Sequence, residues 1–439
     1  MNPTSPVQDI VKAHRRGEPQ GLYSVCCSHP MVLGAAMRVA TDHGTPLLVE
    51  ATSNQVDQFG GYTGMTPAKF RDYVLALARE RGFPAGRLVL GGDHLGPNAW
   101  QSLDAATAMA HAETLVADYA AAGFHKIHLD CSMRCADDPR QLPDETVAER
   151  SARLARIADA AAAAAGFAPP VYVIGTEVPV PGGEASLLDA GAVTTPAAAR
   201  RTLSVHCHAF LDAGLHEAWR RVIAMVVQPG VDFDHSQVQH YAPAPAAALS
   251  SFIAGQPGLV FEAHSTDYQR ELALHQMVRD HFAILKVGPA ATFAMREGLL
   301  ALCSIEDELV PAAEASRLMQ VLDEVMLAKP DHWRKHYHGS SEEQRLLRRY
   351  ALSDRCRYYW GEAPVAAALE RLFDNLRRRG IPLPLLSQYL PEQHLDVVRG
   401  GLAADPRALV EHRIGLVLAQ YARACSRNAA AVGSAAAIC

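Results

Sequence analysis

The 439-residue sequence lacks several features that would each indicate a particular class of protein. It has no long run of lysine and arginine and a net charge of −6, so we expect neither nucleic acid nor membrane partners. The apolar run VIAMVV at 222–227 is too short to cross a bilayer, and residues 1–20 contain no apolar segment typical of a signal peptide. The nine cysteines form no Cys-x-x-Cys pair, which favours free thiols in a reducing compartment. We therefore expect a cytoplasmic protein.

Two nucleotide-binding motifs are also absent. Neither Gly-x-x-x-x-Gly-Lys-Ser/Thr nor a Gly-x-Gly-x-x-Gly that follows a strand occurs, which argues against a P-loop kinase and a Rossmann dehydrogenase. With 49% hydrophobic and 20% charged residues, the composition is that of an ordinary globular protein.

What the sequence does contain is an alternation of short apolar runs with helical segments. Eight such runs begin near residues 21, 46, 87, 126, 171, 223, 259 and 282. Their almost continuous apolar character is typical of parallel strands that are covered on both faces. The pattern predicts a (β/α)8 TIM barrel over residues 1–305, a helical extension packed on it over 306–423, and a disordered tail over 424–439. Within the extension, RYYW at 357–360 is predicted to provide aromatic packing.

Ionisable side chains follow most of the predicted strands, where barrel enzymes place their chemistry. His128 and Asp130 are two residues apart and should share one face of a strand, as should Glu262 and His264. Histidines together with a carboxylate predict a divalent metal site, with zinc the first choice and manganese or another divalent ion as alternatives. The predicted histidine ligands are His94, His264 and either His235 or His128.

The stretch GGDHLGP at 91–97 joins Asp93 to the predicted ligand His94. A carboxylate beside a metal can move a proton of a substrate hydroxyl, so Asp93 is predicted to be catalytic, with Asp130 a second candidate. The glycines before Asp93 are expected to let the substrate approach the backbone. The Gly- and Pro-rich loop at 175–186 carries Glu184, a candidate mobile acid or base or else an ordinary solvated side chain.

Substrate contacts are predicted at further strand ends. Barrel enzymes often bind phosphate after strands seven and eight, through backbone N–H groups and a helix start. Lys286 could instead form a Schiff base. The predicted substrate- or phosphate-binding residues are Glu50, Asn54, His128, Ser265, Thr266, Lys286 and Gly288.

Several long motifs resemble the GatZ/KbaZ family, and the resemblance covers residues 20–422. They include EATSNQVDQFGGYTGMTP (50–67), GGDHLGPNAW (91–100), IGTEVPVPGGEAS (174–186), VVQPGVDFDHS (226–236), FEAHSTDYQ (261–269), LSDRCRYYW (352–360) and PLPLLSQYLP (382–391). Members are described as accessory subunits of tagatose-1,6-bisphosphate aldolase in galactitol and N-acetylgalactosamine catabolism, and some as 4-epimerases. The family is similar to class II, metal-dependent aldolases. That similarity implies proton transfer by Asp93, metal ligation by His94, Glu177, His235 and His264, and a Gly-Gly-Glu loop that ends at Glu184.

The resemblance and the strand ends together predict a metal-dependent 4-epimerase. It would interconvert tagatose- and fructose-type sugars or their 6-phosphates by breaking and remaking the C3–C4 bond. The alternative is a non-catalytic subunit of a tagatose-1,6-bisphosphate aldolase. We expect a sugar or sugar phosphate as ligand, an aldolase subunit as a possible partner, and a homo-oligomer.

Overall fold

A computed structural model describes residues 5–175 and 193–426 of the chain. Eight parallel strands close into a barrel, in the order β1-β10-β9-β6-β5-β4-β3-β2, and β1 completes the circle by pairing with both β10 and β2. Strands β7 and β8 form a separate antiparallel hairpin. The strands are β1 Leu22–Val25, β2 Leu47–Thr52, β3 Leu88–Leu95, β4 Lys126–Leu129, β5 Val171–Ile174, β6 Val222–Val226, β7 Asp232–Phe233, β8 Val238–Gln239, β9 Val260–Ala263 and β10 Phe282–Val287. The predicted TIM-barrel fold is confirmed.

Helices cover the outside of the barrel. Most begin with proline in the first turn, where the N–H that proline lacks would have no partner within the helix. Helix α4 is instead capped by the preceding Asp104, whose carboxylate accepts from the Thr107 N–H at 2.9 Å. These helices are α2 Pro30–Asp42, α3 Pro67–Glu80, α4 Ala105–Ala121, α5 Asp144–Ala164, α6 Pro196–Asp212, α7 His216–Trp219, α8 Pro243–Ala254, α9 Glu271–Arg279 and α10 Pro289–Leu309. Helix α1 Pro6–Arg15 instead packs Val7, Ile10 and Val11 against a separate cluster of strand residues that includes Leu22 and Leu48.

The extension continues from α10, which runs through position 305, and its last helix returns to the barrel. Helix α16 packs against α2, α9 and α10, and the Gly21 N–H donates to the Cys425 carbonyl at 3.1 Å. The helices of the extension are α11 Leu318–Ala328, α12 Ser341–Tyr350, α13 Ala363–Arg379, α14 Leu383–Tyr389, α15 Pro391–Val398 and α16 Pro406–Cys425. Positions 427–439 of the predicted tail lie outside the described residues. None of the helices within the described ranges is long and apolar enough to span a membrane.

The barrel interior contains a buried ion network of Glu50, Lys126, Glu262 and Lys286. The Lys126 ammonium lies 2.6 Å from a carboxylate oxygen of Glu50 and 2.6 Å from one of Glu262, and all three side chains are fully buried. Lys286 pairs with the other oxygen of Glu50 and lies 3.6 Å from Glu262. The network balances two cations with two anions, which offsets the cost of removing the charges from water.

The two glycines before Asp93 leave room for neighbouring side chains rather than for substrate. A Cβ at Gly91 would lie 2.6 Å from the Glu50 carboxylate, and one at Gly92 would lie 2.5 Å from Leu95 and 2.8 Å from Tyr119. The prediction that they open the backbone to substrate is therefore not supported. Gly91 makes room for the buried Glu50 side chain.

Candidate active site

Four ionisable side chains meet at the C-terminal ends of the barrel strands. They are Asp93 and His94 of β3, His128 of β4 and His264, which follows β9, and we call them the Asp-His cluster. One nitrogen or oxygen atom of each lies within 4.8 Å of those of the others. The ring centroids of the three histidines are 4.8 to 5.3 Å apart. This donor set of imidazoles and one carboxylate suits a divalent metal such as zinc.

Each histidine of the cluster also places one ring nitrogen on an oxygen outside it. The contacts are His94 Nδ1 with Asp130 Oδ2 at 2.7 Å, His128 Nε2 with the Gly175 carbonyl at 2.8 Å, and His264 Nε2 with Glu262 Oε1 at 3.1 Å. Histidines that bind metals almost always donate their second N–H to a carboxylate or a carbonyl in this way. The opposite nitrogens, Nε2 of His94 and Nδ1 of both His128 and His264, are then the candidate ligand atoms. The residues therefore fit a metal.

Asp93 occupies the most strongly charged position of the cluster. Its Oδ1 lies 2.9 Å from the Lys286 ammonium and 3.0 Å from His128 Nδ1, and its side chain is almost completely buried. Burial alone would raise the pKa of Asp93, but Lys286 and His94 hold this pKa well below its usual range. Asp93 is thus an ionised carboxylate that faces the cavity.

Lys286 is surrounded by acids. Burial would lower its pKa, but Asp93, Glu50 and Glu262 raise the pKa of Lys286 well above its usual value. A lysine that attacks a carbonyl must first lose its proton, and this arrangement favours the protonated form. The structure therefore gives no support to the Schiff-base alternative. Glu50 lies beneath Lys286 in the buried ion network and does not line the cavity, although it was predicted to contact the substrate.

A cavity of about 250 Å³ opens above the cluster. Asn54, predicted as a substrate contact, lines it, as do Asp93, His94, His264 and Lys286. Part of the wall comes from the segment between α12 and α13 of the extension, which supplies Ser353, Arg355, Arg357 and Tyr358. The sequence reasoning missed these four residues and assigned two of them, Arg357 and Tyr358 of RYYW, to aromatic packing. The motif LSDRCRYYW did contain a signal, namely two arginines in a short segment between helices.

A family model described as D-tagatose-1,6-bisphosphate aldolase subunit GatZ/KbaZ-like matches residues 7–426. The chain belongs to the GatZ/KbaZ-like family. The resemblance expected from the sequence motifs is confirmed. The chain is also similar to a solved structure from Sinorhizobium meliloti 1021, described as a probable tagatose 6 phosphate kinase. The identity is 47% over 92% of this chain and 100% of that chain, with a TM-score of 0.85.

Two solved aldolases show a much weaker similarity to this GatZ/KbaZ-like chain. The YdjI aldolase from Escherichia coli K12 is 10% identical over 85% of this chain and 96% of that chain, with a TM-score of 0.41. The fructose-bisphosphate aldolase from Campylobacter jejuni is 12% identical over 86% of this chain and 96% of that chain, with a TM-score of 0.42. Values this low carry no argument about function.

The phosphate site predicted after strands seven and eight is filled by the GatZ/KbaZ-like chain itself. The carboxylate of Asp267 accepts from the N–H groups of Gly288 at 3.0 Å and Ala290 at 2.7 Å, at the start of α10. Ser265 and Gly288 line the cavity, but Thr266 does not, because its hydroxyl donates to the Lys286 carbonyl at 2.5 Å. Phosphate binding by Thr266 and by the N–H of Gly288 is therefore not supported.

His235 lies outside the Asp-His cluster of this family member. One ring nitrogen lies 3.0 Å from the Ser353 hydroxyl and the other 3.0 Å from the His336 carbonyl. The prediction that His235 is a metal ligand is not supported, since its ring contacts the extension and is not among the side chains that meet in the cluster. His128, the alternative considered from the sequence, lies in the cluster instead. The two other acids predicted for the site, Glu177 and Glu184, lie outside the described residues.

The backbone at His94 is strained in the GatZ/KbaZ-like structure, as is common at functional sites. Its φ of 51° lies in the left-handed region, which costs energy for any residue with a Cβ. The His94 N–H lies 3.3 Å from His128 Nδ1, and its ring contacts Asp130, so neighbouring residues of the site hold this conformation. Two residues on, a Cβ at Gly96 would lie 1.8 Å from the Asp130 carbonyl oxygen.

Gly96→Ala is therefore expected to displace Asp130 from His94. We expect a loss of about 1–3 kcal/mol in the free energy of unfolding, because the added methyl group overpacks the contact between β3 and the end of β4. We also expect weaker zinc binding, since Asp130 orients His94. Urea unfolding and zinc titration measure the two effects. Gly86→Ala is the control, because a Cβ there would contact nothing within 4 Å. Equal unfolding free energies and equal zinc affinities of the two variants would contradict the prediction.

Proposed function

We propose that this protein is a metal-dependent ketohexose 4-epimerase that interconverts tagatose 6-phosphate and fructose 6-phosphate. The observation that carries the proposal is the Asp-His cluster at the barrel mouth, together with the cavity above it. Burying four ionisable side chains side by side is costly, and such groups cluster at functional sites. A chain that served only to stabilise a partner would have no need of them.

The proposed metal ligands are His94, His128 and His264, with Asp93 in reach of the same ion. Zinc fits this donor set best, and manganese is the second candidate. Glu177 and Glu184 stay candidates for a further ligand and a mobile acid. When bound, the ion would supply Lewis acidity at the ketone and stabilise negative charge as it develops.

The steps assigned to protein residues begin at Asp93. Its carboxylate takes the proton of the C4 hydroxyl, and the electrons of the new C4 carbonyl come from that O–H bond. The C3–C4 bond breaks, and its electron pair moves into the enediolate of the three-carbon ketone. The other product is glyceraldehyde 3-phosphate. The ammonium of Lys286, 2.9 Å from Asp93, holds this carboxylate in place.

Inversion requires the aldehyde to turn before the bond forms again. The enediolate attacks the opposite face of the aldehyde, the electron pair returns to the C3–C4 bond, and Asp93 gives its proton back to O4. The net result is inversion at C4 with no gain or loss of atoms. Asp130 is proposed to position His94 rather than to touch the substrate, because its two oxygens are used by His94 and Ser132.

The test is turnover of tagatose 6-phosphate by the purified chain, followed by NMR, before and after removal of divalent metal. We expect fructose 6-phosphate to appear, activity to be lost on chelation and restored by zinc or manganese, and Asp93→Asn to lower kcat by about 10²–10⁴-fold. Since C3 and C4 exchange no proton with solvent in this route, product formed in D₂O should carry no deuterium at C4. Absence of turnover with every divalent metal would reject the proposal.

The second candidate function is a subunit of a tagatose-1,6-bisphosphate aldolase, which the family description favours. It predicts that the chain alone is inactive and that it raises the activity or stability of a separate aldolase chain. Measuring cleavage of the bisphosphate with each chain alone and with both separates the two functions. Turnover of the monophosphate by this chain alone would favour the epimerase.

A further inference from the structure

Two arginines of the extension line the cavity without an acidic partner. Arg355 donates from Nη1 to the His332 carbonyl at 3.0 Å, and Arg357 donates from Nη2 to the Tyr358 hydroxyl at 2.7 Å and from Nη1 to the Asp354 carbonyl at 3.2 Å. All of these acceptors are neutral. In the described part of the chain, neither guanidinium takes part in an ion pair, and both line the cavity above the Asp-His cluster.

Two buried arginines nearby each pair with an aspartate. Arg296 pairs with Asp354 at 3.0 Å, and Arg348 pairs with Asp323 at 2.6 Å. A buried cation normally has such a partner, because an uncompensated charge in a protein interior is costly. Within residues 5–175 and 193–426, Arg355 and Arg357 have no such partner and are partly exposed to the cavity, so an anion that enters the cavity can pair with them.

Further hydrogen-bond donors of the same cavity have no acceptor among the described residues. They are the hydroxyls of Ser53 and Ser265 and the Nε–H of Arg355. Ser265 has a φ of 52°, so its backbone adopts a strained left-handed conformation. Unused donors together with two guanidiniums match the acceptor oxygens of a phosphate, which arginine binds particularly well.

The usual alternative for a phosphate in a barrel is already occupied. The helix start after the last strand is filled by Asp267, whose carboxylate accepts both N–H groups there and whose burial raises its pKa to about 6. A phosphate could not bind there without displacing this side chain. Arg355 and Arg357 offer a site on the same cavity that no side chain of the described chain fills.

We propose that Arg355 and Arg357 bind the terminal phosphate of a ketohexose monophosphate on the wall that the extension adds to the barrel mouth. The proposal rests on the proposed function in that the sugar part of the ligand then reaches the Asp-His cluster. The extension would therefore select phosphorylated over free ketoses. It would bind one phosphate, because the second basic position, Lys286, is neutralised by three carboxylates.

The test is calorimetric binding of fructose 6-phosphate, fructose and orthophosphate to the full metal-loaded chain. Arg355→Gln and Arg357→Gln are each expected to weaken fructose 6-phosphate binding by about 10- to 100-fold, since each removes hydrogen bonds between charged groups. Orthophosphate binding should weaken in parallel, and the preference for fructose 6-phosphate over fructose should fall. Arg357→Lys keeps the positive charge but loses the planar set of guanidinium N–H donors, so its affinity for fructose 6-phosphate should lie between those of the parent chain and Arg357→Gln. Arg334→Gln is the matched control on the exposed surface of the extension and should bind as the parent chain does.

Unchanged affinity for fructose 6-phosphate in both glutamine variants would overturn the proposal. An equal loss of affinity for fructose and fructose 6-phosphate would also overturn it, because it would indicate a general disturbance of the site. The two hypotheses fail separately. If the chain turns over no sugar but the glutamine variants lose affinity for fructose 6-phosphate, the proposed epimerase activity is rejected and the phosphate site is upheld. If turnover is present and the variants keep their affinity, the phosphate site alone is rejected.

Discussion

His94→Ala is expected to remove the metal and to lower tagatose 6-phosphate turnover by about 10³-fold or more. The reason is that His94 contributes a central imidazole of the Asp-His cluster, and loss of Lewis-acid stabilisation is worth several kcal/mol in the transition state. Metal analysis of the purified variant gives a readout that does not depend on activity. A variant that keeps both a stoichiometric metal and full turnover would contradict the proposed site.

Two further variants make the test specific. Asp130→Asn keeps the shape but weakens the acceptor of the His94 N–H, so metal affinity should fall by about 10–100-fold. His235→Ala removes the histidine that the sequence suggested as a ligand and that the structure places against Ser353 and the His336 carbonyl. Its metal content should equal that of the parent chain. Loss of metal from His235→Ala would mean that the cluster has been assigned incorrectly.

Lys126→Met is expected to destabilise the barrel by about 3–5 kcal/mol, the largest stability effect we expect for a single substitution here. Lys126 contacts Glu50 and Glu262 at 2.6 Å each in a fully buried setting. Its removal leaves these two carboxylates and Asp93 to share Lys286. The midpoint of urea unfolding measures the loss. Lys126→Met combined with Glu262→Gln should recover part of it, because the paired change removes one unmatched charge.

Lys329→Met is the matched control for the buried lysine. Lys329 also contacts a carboxylate, that of Glu362 at 2.6 Å, but its side chain is 59% exposed. Water solvates both partners of such a pair, so its loss should cost less than about 1 kcal/mol. Similar losses for the two variants would show that the buried network contributes little beyond an ordinary surface pair.

The barrel itself could be predicted because its signals are local. The apolar runs and the helical segments between them are visible in the sequence, and β4 and β5 begin at residues 126 and 171, where two of the apolar runs begin. The strand ends then follow from the fold, since parallel strands bring their carboxyl ends to one face. Asp93, His94 and His264 were predicted in this way.

The remaining parts of the site depend on contacts that no local pattern specifies. His235 follows the short strand β7, and the β7–β8 hairpin carries it to the extension and away from the cluster. The helix start after β10 was predicted to bind phosphate, but its N–H groups donate to the carboxylate of Asp267 of the same chain. Periodicity also cannot tell which segment between two helices lies over the barrel mouth, so Arg355 and Arg357 were missed.

The contribution of the extension to the cavity also determines when during synthesis the site becomes complete. The chain leaves the ribosome from its N-terminus, so the strands that carry Asp93 and His264 appear well before residues 353–358. Helix α16, which packs on α2 and bonds to Gly21, is made later still. A nascent chain that has just finished β10 would contain the eight barrel strands but would lack one wall of the cavity and helix α16. Ligand binding should therefore begin only after residues 353–358 have been made.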